Sequence, residues 1–247
     1  MFRSIIWYSN FALTLVGTLP RLFKVNRLDK KIKSSENPST EDIVLREELV
    51  FDTVSKWAEN KIKIAGATVK ICGEENIPKD ETVLFMSNHQ SNFDIALFLS
   101  YIKTNKGFVA KKELSKVPIL NTWMEKIDCI FMDRSNMRAS AQAIAESTKL
   151  LKKGRSMVIF PEGTRSCKNE LLEFKAGSFK LATKSKVKIV PVTIKNSYKL
   201  MEENNNRITP AEVEIYIHPP VETKGLSKEE EDALPSKIKG IIESKLH

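Results

Sequence analysis

The pattern of hydrophobic and polar residues changes near residue 65, where broad helical faces give way to short apolar runs. Before that point, an uncharged run over residues 4–20 leads into a basic stretch, and a broad apolar face returns over residues 43–57. This pattern predicts two helices within residues 1–62, joined by a linker at residues 34–40.

After residue 65, seven short apolar runs rich in β-branched residues have the length of buried strands. They are predicted at residues 67–72, 83–86, 107–109, 129–132, 157–160, 188–194 and 212–217. Helical spacing occurs at residues 95–101, 119–127, 139–153, 178–186 and 228–246. This alternation predicts an α/β fold with a mostly parallel central sheet flanked by helices. We assign residues 63–247 to this domain and residues 1–62 to an N-terminal segment.

Local signals refine the ends and interiors of these elements. Ser39 and Asp42 have the spacing of a capping box at the start of the second helix. Gly154 has the position of a C-terminal helix residue. Pro235 is expected to interrupt the last helix, and Pro191 within the sixth strand predicts an edge or a bulge.

The N-terminal segment has the composition of a membrane-surface motif. Residues 4–20 fall short of the roughly 20 mostly apolar residues of a spanning helix, and no A-x-A-like signal-peptide site follows Pro20. A basic cluster comes next and favours anionic lipid by about 1 kcal/mol per residue: Arg21, Lys24, Arg27, Lys30, Lys31 and Lys33. We interpret residues 1–62 as two helices that form a membrane-embedded hairpin and hold the protein, peripheral or monotopic, on the cytoplasmic face of the membrane. The alternative is one anchor helix followed by one core helix.

The net charge of +9 is concentrated in two regions of the chain. Residues 1–35 carry seven basic residues and one acidic residue, and residues 101–190 carry nineteen and eight. A basic surface suits nucleic acid, an anionic membrane or an anionic substrate. No RRM, KH or zinc-finger pattern occurs in the second region, so we expect no nucleic-acid partner. The three scattered cysteines form no CxxC pair and indicate neither a structural zinc site nor a disulfide framework.

The sharpest chemical signal is Asn88-His89-Gln90-Ser91-Asn92-Phe93-Asp94, at the predicted turn from the second strand to a helix. On one continuous helix, side chains five residues apart point about 140° away from each other. His89 and Asp94 can therefore meet only if His89 lies in the turn. An aspartate on one imidazole nitrogen fixes the tautomer and leaves the other nitrogen as a general base. The plain structural alternative is a loop histidine beside a helix-capping Asp94.

Other strand ends carry residues that suit an anion. The block Phe160-Pro161-Glu162-Gly163-Thr164-Arg165-Ser166 follows the fifth strand. Its glycine permits close backbone approach, and its arginine offers a planar fork for phosphate. Arg134 ends a Phe131-Met132-Asp133-Arg134 block, and Lys111 follows the third strand. Carboxyl ends of parallel strands meet at one edge, so these residues are expected in the crevice of His89. Each taken alone could be an ordinary turn or an exposed strand end.

The order of these blocks, closed by Val190-Pro191-Val192, resembles the HX4D glycerolipid acyltransferase family over residues 83–194. Within it, the pattern is most similar to the bacterial lysophosphatidate acyltransferases. The resemblance implies acyl transfer from acyl-CoA or acyl carrier protein to the 2-hydroxyl of lysophosphatidic acid, giving phosphatidic acid. It implies no cofactor and no metal. Open alternatives are another acceptor, such as glycerol 3-phosphate or another lysolipid, and a non-catalytic membrane-binding module.

The resemblance also implies residue roles. His89 is expected to act as the general base, and Asp94 to orient it and support the imidazolium. Cations are expected to hold the acceptor phosphate, and further groups to orient the acceptor or to donate to the oxyanion. The phosphate-binding residues are Arg165, Arg134 and Lys111; the orienting or oxyanion residues are Glu162, Gly163 and Thr164.

Overall fold

Seven strands form one sheet within residues 2–246, the part of the chain that this computed structural model describes. They are β1 Thr68–Cys72, β2 Val83–Ser87, β3 Lys106–Lys111, β4 Ile130–Met132, β5 Ser156–Ile159, β6 Lys188–Lys195 and β7 Glu212–Ile217. Their order is β1–β7–β6–β2–β5–β3–β4, and every neighbouring pair is parallel except β6 with β7. The predicted α/β fold with a mostly parallel sheet is confirmed.

Helices cover both faces of the sheet. They are α1 Phe2–Gly17, α2 Leu19–Ser34, α3 Thr40–Ala65, α4 Phe93–Tyr101, α5 Leu120–Lys126, α6 Met137–Lys152, α7 Lys180–Ser185 and α8 Lys228–Glu243. Val83 and Phe85 of β2 pack in the apolar cluster of α3 and α4, whereas Leu84 and Met86 pack in that of α6, α7 and α8. Because both faces are covered, β2 is buried throughout, and its sequence is continuously apolar rather than alternating.

The first predicted N-terminal helix is divided at Thr18 into α1 and α2. Pro20 lacks an N–H group and cannot bond the carbonyl oxygen of Val16, which favours a break in the helical ladder there. The hydroxyl of Thr18 donates to the carbonyl oxygen of Leu15 at 2.6 Å and accepts the indole N–H of Trp123 at 2.8 Å. The bend is thereby attached to α5.

Polar residues of α1 face inward, toward the buried Lys61 of α3. The ammonium of Lys61 donates to Oγ1 of Thr14 at 2.6 Å and to Oδ1 of Asn10. Burial lowers the pKa of Lys61 to about 8. The indole N–H of Trp7 donates to the carbonyl oxygen of Lys61 at 2.9 Å. Asn10 and Thr14, two polar residues of the run over residues 4–20, are thus used in protein contacts.

Helix α3 belongs to the core over much of its length, although its start is exposed and apolar. Its buried apolar residues are Val50, Val54, Ala58, Ile62 and Ala65. The exposed ones are Ile43, Val44 and Leu45. The second half of α3 therefore packs as a core helix, as the alternative interpretation of residues 1–62 predicted. The boundary between residues 62 and 63 stays a prediction, and it falls inside α3.

Two helix signals act differently from expectation. The side chain of Ser39 makes no capping hydrogen bond, and the carboxylate of Asp42 is paired with Lys31 of α2 at 2.7 Å instead of reaching back to Ser39. Pro235 does not interrupt α8, which continues from Lys228 to Glu243. Its neighbours Leu234 and Ile238 are buried in the core, and this packing compensates for the one missing N–H bond.

Pro191 lies neither at an edge nor at a bulge, because β6 is placed between β2 and β7. The carbonyl oxygen of Pro191 accepts the N–H of His218 just beyond the end of β7. The N–H and C=O of one strand residue point to the same side. The side of Pro191 that lacks an N–H therefore faces the end of β7. The pairing of β6 with β7 begins only at Val192, so the one bond that Pro191 cannot donate lies at the end of the ladder rather than inside it.

Paired charges join the N-terminal helices to the α/β domain. Asp29 of α2 lies 2.6 Å from Lys126 of α5 and 3.0 Å from Arg46 of α3. Glu47 lies 2.7 Å from Arg46 and 2.9 Å from Arg155, which precedes β5. Burial raises the pKa of Glu47, but the hydrogen bonds and charges of Arg155 and Arg46 outweigh it and hold the pKa below 4.5.

Glu47→Gln should lower the free energy of unfolding by roughly 1–3 kcal/mol at neutral pH, because two arginines lose a charged partner. The folded-state pKa of Glu47 is depressed, so the difference from wild type should vanish as the pH falls through that pKa, below 4.5. Urea unfolding over a pH series measures both effects. Glu48→Gln is the matched control, since Glu48 is the exposed neighbour. Equal destabilisation by both substitutions would contradict the assignment.

Candidate active site

The turn between β2 and α4 brings His89 and Asp94 into contact, as the spacing argument requires. Nδ1 of His89 lies 2.7 Å from Oδ2 of Asp94. The same oxygen accepts the N–H of Gln90 at 2.7 Å and the N–H of Ser91 at 2.9 Å. Asp94 is fully buried in the first turn of α4, so its carboxylate holds the imidazole from the protein interior.

The tautomer of His89 follows from this contact. Because the carboxylate of Asp94 accepts, Nδ1 carries the proton and Nε2 is left as an acceptor. The imidazole stacks on Phe160 with ring centroids 4.1 Å apart, and 13% of the His89 side chain is exposed. Within residues 2–246, no group hydrogen-bonds Nε2. The nitrogen is thus available to take a proton from a bound hydroxyl.

Asn88 fixes the turn to the neighbouring strand. Its amide donates to the carbonyl oxygen of Ile194 at 2.7 Å and accepts the N–H of Ile194 at 2.8 Å. The fully buried side chain continues the pairing of β2 with β6 beyond the last residue of β2. The residue that precedes His89 is therefore held in place at the carboxyl end of the central strands.

Both carboxylate oxygens of Glu162 accept hydrogen bonds from backbone N–H groups. Oε1 accepts the N–H of His89 at 2.7 Å, and Oε2 accepts the N–H of Leu172 at 2.9 Å. Burial raises the pKa of Glu162, and the two backbone hydrogen bonds oppose this change. With both oxygens engaged, Glu162 is a positioning residue for the His89 turn.

Gly163 closes the turn after β5, and its N–H is engaged within that turn rather than free to donate to an oxyanion. Its N–H donates to the carbonyl oxygen of Phe160 at 3.0 Å. Its φ is +71°, a left-handed backbone that favours glycine, and a Cβ there would lie 2.8 Å from Nζ of Lys175, whose flexible side chain would have to move. Thr164 is exposed, and its N–H has no partner in the described part of the chain, so it stays an oxyanion candidate.

Arg165 is held against the His89 turn by Glu202, which lies between β6 and β7. Oε1 of Glu202 is 2.7 Å from Nη1 of Arg165 and accepts the N–H of Asn92 at 3.0 Å. Oε2 accepts the hydroxyl of Ser91 at 2.6 Å. The Glu202 side chain is 5% exposed, whereas that of Arg165 is 36% exposed. One buried carboxylate therefore joins the expected phosphate-binding arginine to the turn.

The other expected cations lie along the same edge at different distances. The guanidinium of Arg134, which follows β4, donates to the carbonyl oxygen of Gly163. Lys111 ends β3, two strands from β2, which places its backbone about 10 Å away. Its ammonium is exposed and lies 3.6 Å from Glu113. Arg134 thus contacts the turn after β5, and Lys111 lies further out.

A family model described as Acyltransferase matches residues 68–195, which is slightly more than half of the 247 residues. The chain belongs to the acyltransferase family. It is 34% identical to the 1-acyl-sn-glycerol-3-phosphate acyltransferase of Borreliella burgdorferi over 183 residues, 74% of this chain and 73% of that protein. It is also 34% identical to a probable 1-acyl-sn-glycerol-3-phosphate acyltransferase of Mycoplasma pneumoniae, over 68% of this chain and 64% of that protein.

A solved structure matches the acyltransferase over nearly its whole length. This is the 1-acyl-sn-glycerophosphate (LPA) acyltransferase PlsC from Thermotoga maritima, at 28% identity and a TM-score of 0.80. The match covers 99% of this chain and 95% of that one, so it includes the N-terminal helices.

Three residues of the acyltransferase site escaped the motif analysis: Lys175, Ser197 and Glu202. The last two follow β6, the neighbour of β2, so the rule that parallel strand ends share one edge could have found them. Lys175 carries no comparable signal, because it reaches Gly163 from a loop. Within residues 2–246, no three His, Cys, Asp or Glu side chains are grouped as metal ligands.

Glu162→Gln should destabilise this acyltransferase by roughly 1–3 kcal/mol and reduce its turnover. A glutamine offers one acceptor oxygen, so one of the two backbone N–H groups would face an amide NH₂. Thermal unfolding and the rate of acyl transfer measure the two effects. Glu173→Gln is the control, since Glu173 is exposed nearby. Wild-type behaviour of Glu162→Gln would show that the His89 turn does not need this carboxylate.

Proposed function

We propose that this acyltransferase is a 1-acylglycerol-3-phosphate O-acyltransferase. It moves an acyl group from acyl-CoA or acyl carrier protein to the 2-hydroxyl of lysophosphatidic acid and so makes phosphatidic acid. The observation that carries this proposal is the His89–Asp94 pair, 2.7 Å apart, beside Arg165 and Arg134 at the same sheet edge. The names of the relatives support the choice of acceptor.

The reaction needs a base because a secondary alcohol is a poor nucleophile at neutral pH. Nε2 of His89 takes the hydroxyl proton while the oxygen attacks the thioester carbonyl, and Asp94 stabilises the imidazolium. The carbon–oxygen bond forms, the carbon–sulfur bond breaks, and the imidazolium returns its proton to the leaving thiolate. The substrate hydroxyl takes the place of an enzyme serine, so no acyl-enzyme is needed.

Cations at the sheet edge would hold the acceptor phosphate. The charge of Arg165 is partly compensated by Glu202 at 2.7 Å, and a phosphate carries nearly two negative charges. Arg134 and Lys175 approach Gly163 from different sides and can supply the remaining positive charge. Lys111, the third cation expected at the acceptor phosphate, lies further out along the same edge.

Turnover with a panel of acceptors tests the proposal. We expect activity with lysophosphatidic acid and an acyl thioester, and a loss of about 100-fold or more in His89→Ala with the thermal unfolding midpoint retained. Activity that occurs only with glycerol 3-phosphate, or only with lysolipids that lack phosphate, would contradict the assignment of lysophosphatidic acid as the acceptor. Equal turnover by wild type and His89→Ala would contradict the role of His89 as the base, and no turnover with any acceptor in the panel would favour a non-catalytic membrane-binding module. Comparison of acyl-CoA with acyl carrier protein identifies the donor.

We also propose that α1 and α2 hold the enzyme on an anionic membrane surface, on its cytoplasmic face. Among residues 2–246, no helix combines the length and the hydropathy needed to cross a bilayer. The outward side of the pair nevertheless carries a row of exposed apolar side chains beside the basic residues of α2. They are Phe2, Ile5, Ile6, Leu13, Val16, Leu19 and Phe23. Apolar exposure on this scale next to positive charge is typical of an interfacial helix.

Two contacts of α1 support a membrane surface close to the site. The ring of Trp7 lies 5.4 Å from that of Phe93, the residue before Asp94. The hydroxyl of Tyr8 donates to the carbonyl oxygen of Asn206 at 3.0 Å, in the segment that also carries Glu202. A lipid acceptor could therefore pass from the bilayer surface to the sheet edge over a short path.

The double substitution Leu13→Gln with Phe23→Gln should weaken binding to phosphatidylglycerol-rich vesicles by roughly tenfold or more. Burial of one such side chain in an apolar phase is worth about 1.5–3 kcal/mol. Co-sedimentation at low and high salt separates this apolar part from the contribution of the lysines. Met137→Gln is the control, because Met137 is 90% exposed on α6. Unchanged binding of the double variant, or an equal loss in the control, would refute the assignment.

A further inference from the structure

The segment that follows β6 supports the His89 turn from inside the protein. Ser197 begins a short 3₁₀ helix there and is fully buried. Its hydroxyl lies 2.5 Å from Oδ1 of Asp94, and its N–H donates to Oε1 of Gln90 at 3.2 Å. The hydroxyl is also 3.4 Å from Oε1 of Gln90, but the shorter contact to a carboxylate takes its single proton.

This contact completes the set of donors around Asp94. Oδ2 is shared by the imidazole of His89 and two backbone N–H groups, whereas Oδ1 has only the hydroxyl of Ser197 among residues 2–246. Asp94 is fully buried, so an oxygen without a donor would carry a desolvation penalty. Ser197 thus fixes the rotation of the carboxylate and disperses its charge.

We propose that Ser197 is a positioning residue that sets the basicity of the His89–Asp94 pair. The proposal rests on the proposed function of that pair. A hydrogen bond to a carboxylate favours its charged form. Without it, the negative charge is less dispersed, and the pair binds a proton more readily. The acid limb of activity should then move to higher pH.

Neighbouring elements hold Ser197 in place. Asn196 adopts a left-handed backbone with φ of +69°, and its amide oxygen accepts from Asn169 at 2.8 Å. Asn169 in turn accepts the side-chain amide of Gln90 at 2.8 Å. The loop after β5 and the segment after β6 therefore meet behind the turn, and the geometry of Ser197 does not depend on one contact alone.

The other charged groups around the pair remain in place when Ser197 is changed. Glu162 approaches from the turn after β5 through the N–H of His89. Glu202 approaches through Ser91, and its charge is balanced by Arg165. Since none of these groups bonds the hydroxyl of Ser197, a shift in the pH profile reports on the contact with Asp94.

The experiment compares Ser197→Ala with Ser147→Ala. Ser147 is also fully buried, but its hydroxyl donates to the carbonyl oxygen of Ala143 at 2.8 Å within α6. In Ser197→Ala we expect kcat to fall roughly tenfold, KM for the acceptor to stay close to wild type, and the acid limb of kcat/KM to rise by roughly one pH unit. Ser147→Ala should keep the wild-type profile.

Ser197→Thr retains the hydroxyl and should restore most of the profile. If Ser197→Ala does not fold, Ser197→Cys provides the comparison, because a thiol leaves no cavity and is only a weak donor. A variant at residue 197 that loses stability but keeps the wild-type kcat and pH profile would overturn the proposal and leave Ser197 a purely structural residue.

A second measurement separates this proposal from the proposed function. An NMR titration of His89 in the full chain, assigned with His89→Ala, needs no substrate. We expect a higher pKa of the imidazole in Ser197→Ala than in wild type. If wild type shows no acyl transfer but the titration shifts, the proposed function fails while the role of Ser197 stands. An unshifted titration would overturn the role of Ser197 whatever the activity.

Discussion

A buried carboxylate is stable only when hydrogen-bond donors occupy its oxygens, and this constraint organises the site. Asp94 draws donors from its own turn and from Ser197 after β6. Glu162 draws them from His89 and from Leu172 after β5. Because β5, β2 and β6 are parallel neighbours, their carboxyl ends meet at one edge, and the two carboxylates lock the three following segments into one arrangement.

The charges of the site are separated by depth. The carboxylates are buried and the cations reach toward solvent, so the outer surface of the edge is positive although the site as a whole is nearly balanced. The buried acids are Asp94, Glu162 and Glu202, and the outer cations are Arg165, Arg134 and Lys175. An anionic acceptor meets positive charge first, while the base behind it keeps a neighbouring carboxylate. The arrangement suits both phosphate capture and proton removal.

The N-terminal helices are part of this arrangement. The side chains of Asn10 and Thr14 accept hydrogen bonds from the buried Lys61, Trp7 and Leu15 pack inward, and most of the other large apolar side chains of α1 stay exposed. Partly buried ion pairs of Asp29 and Glu47 join the N-terminal helices to the α/β domain, and Trp7 packs against the first residue of α4. A surface suited to lipid is thereby held in a set position beside the sheet edge.

Much of the fold could be predicted because local patterns determine it. Short apolar runs alternating with helices specified a mostly parallel α/β sheet, and the spacing of His89 and Asp94 required a turn followed by a helix. Long-range contacts could not be read in this way. Glu162 turned out to bind backbone, Pro191 fits a central strand because β7 ends beside it, and Pro235 is tolerated inside α8.

Periodicity and turn chemistry act over a few residues, so they reveal which chemical groups are present and which strand ends carry them. The donors that each buried carboxylate receives depend instead on contacts between distant parts of the folded chain. The partner of Oδ1 of Asp94 lies 103 residues away, and the partner of Arg165 lies 37 residues away. Such pairs depend on strand order, which brings the end of β6 beside the end of β2 although three strands separate them in the chain.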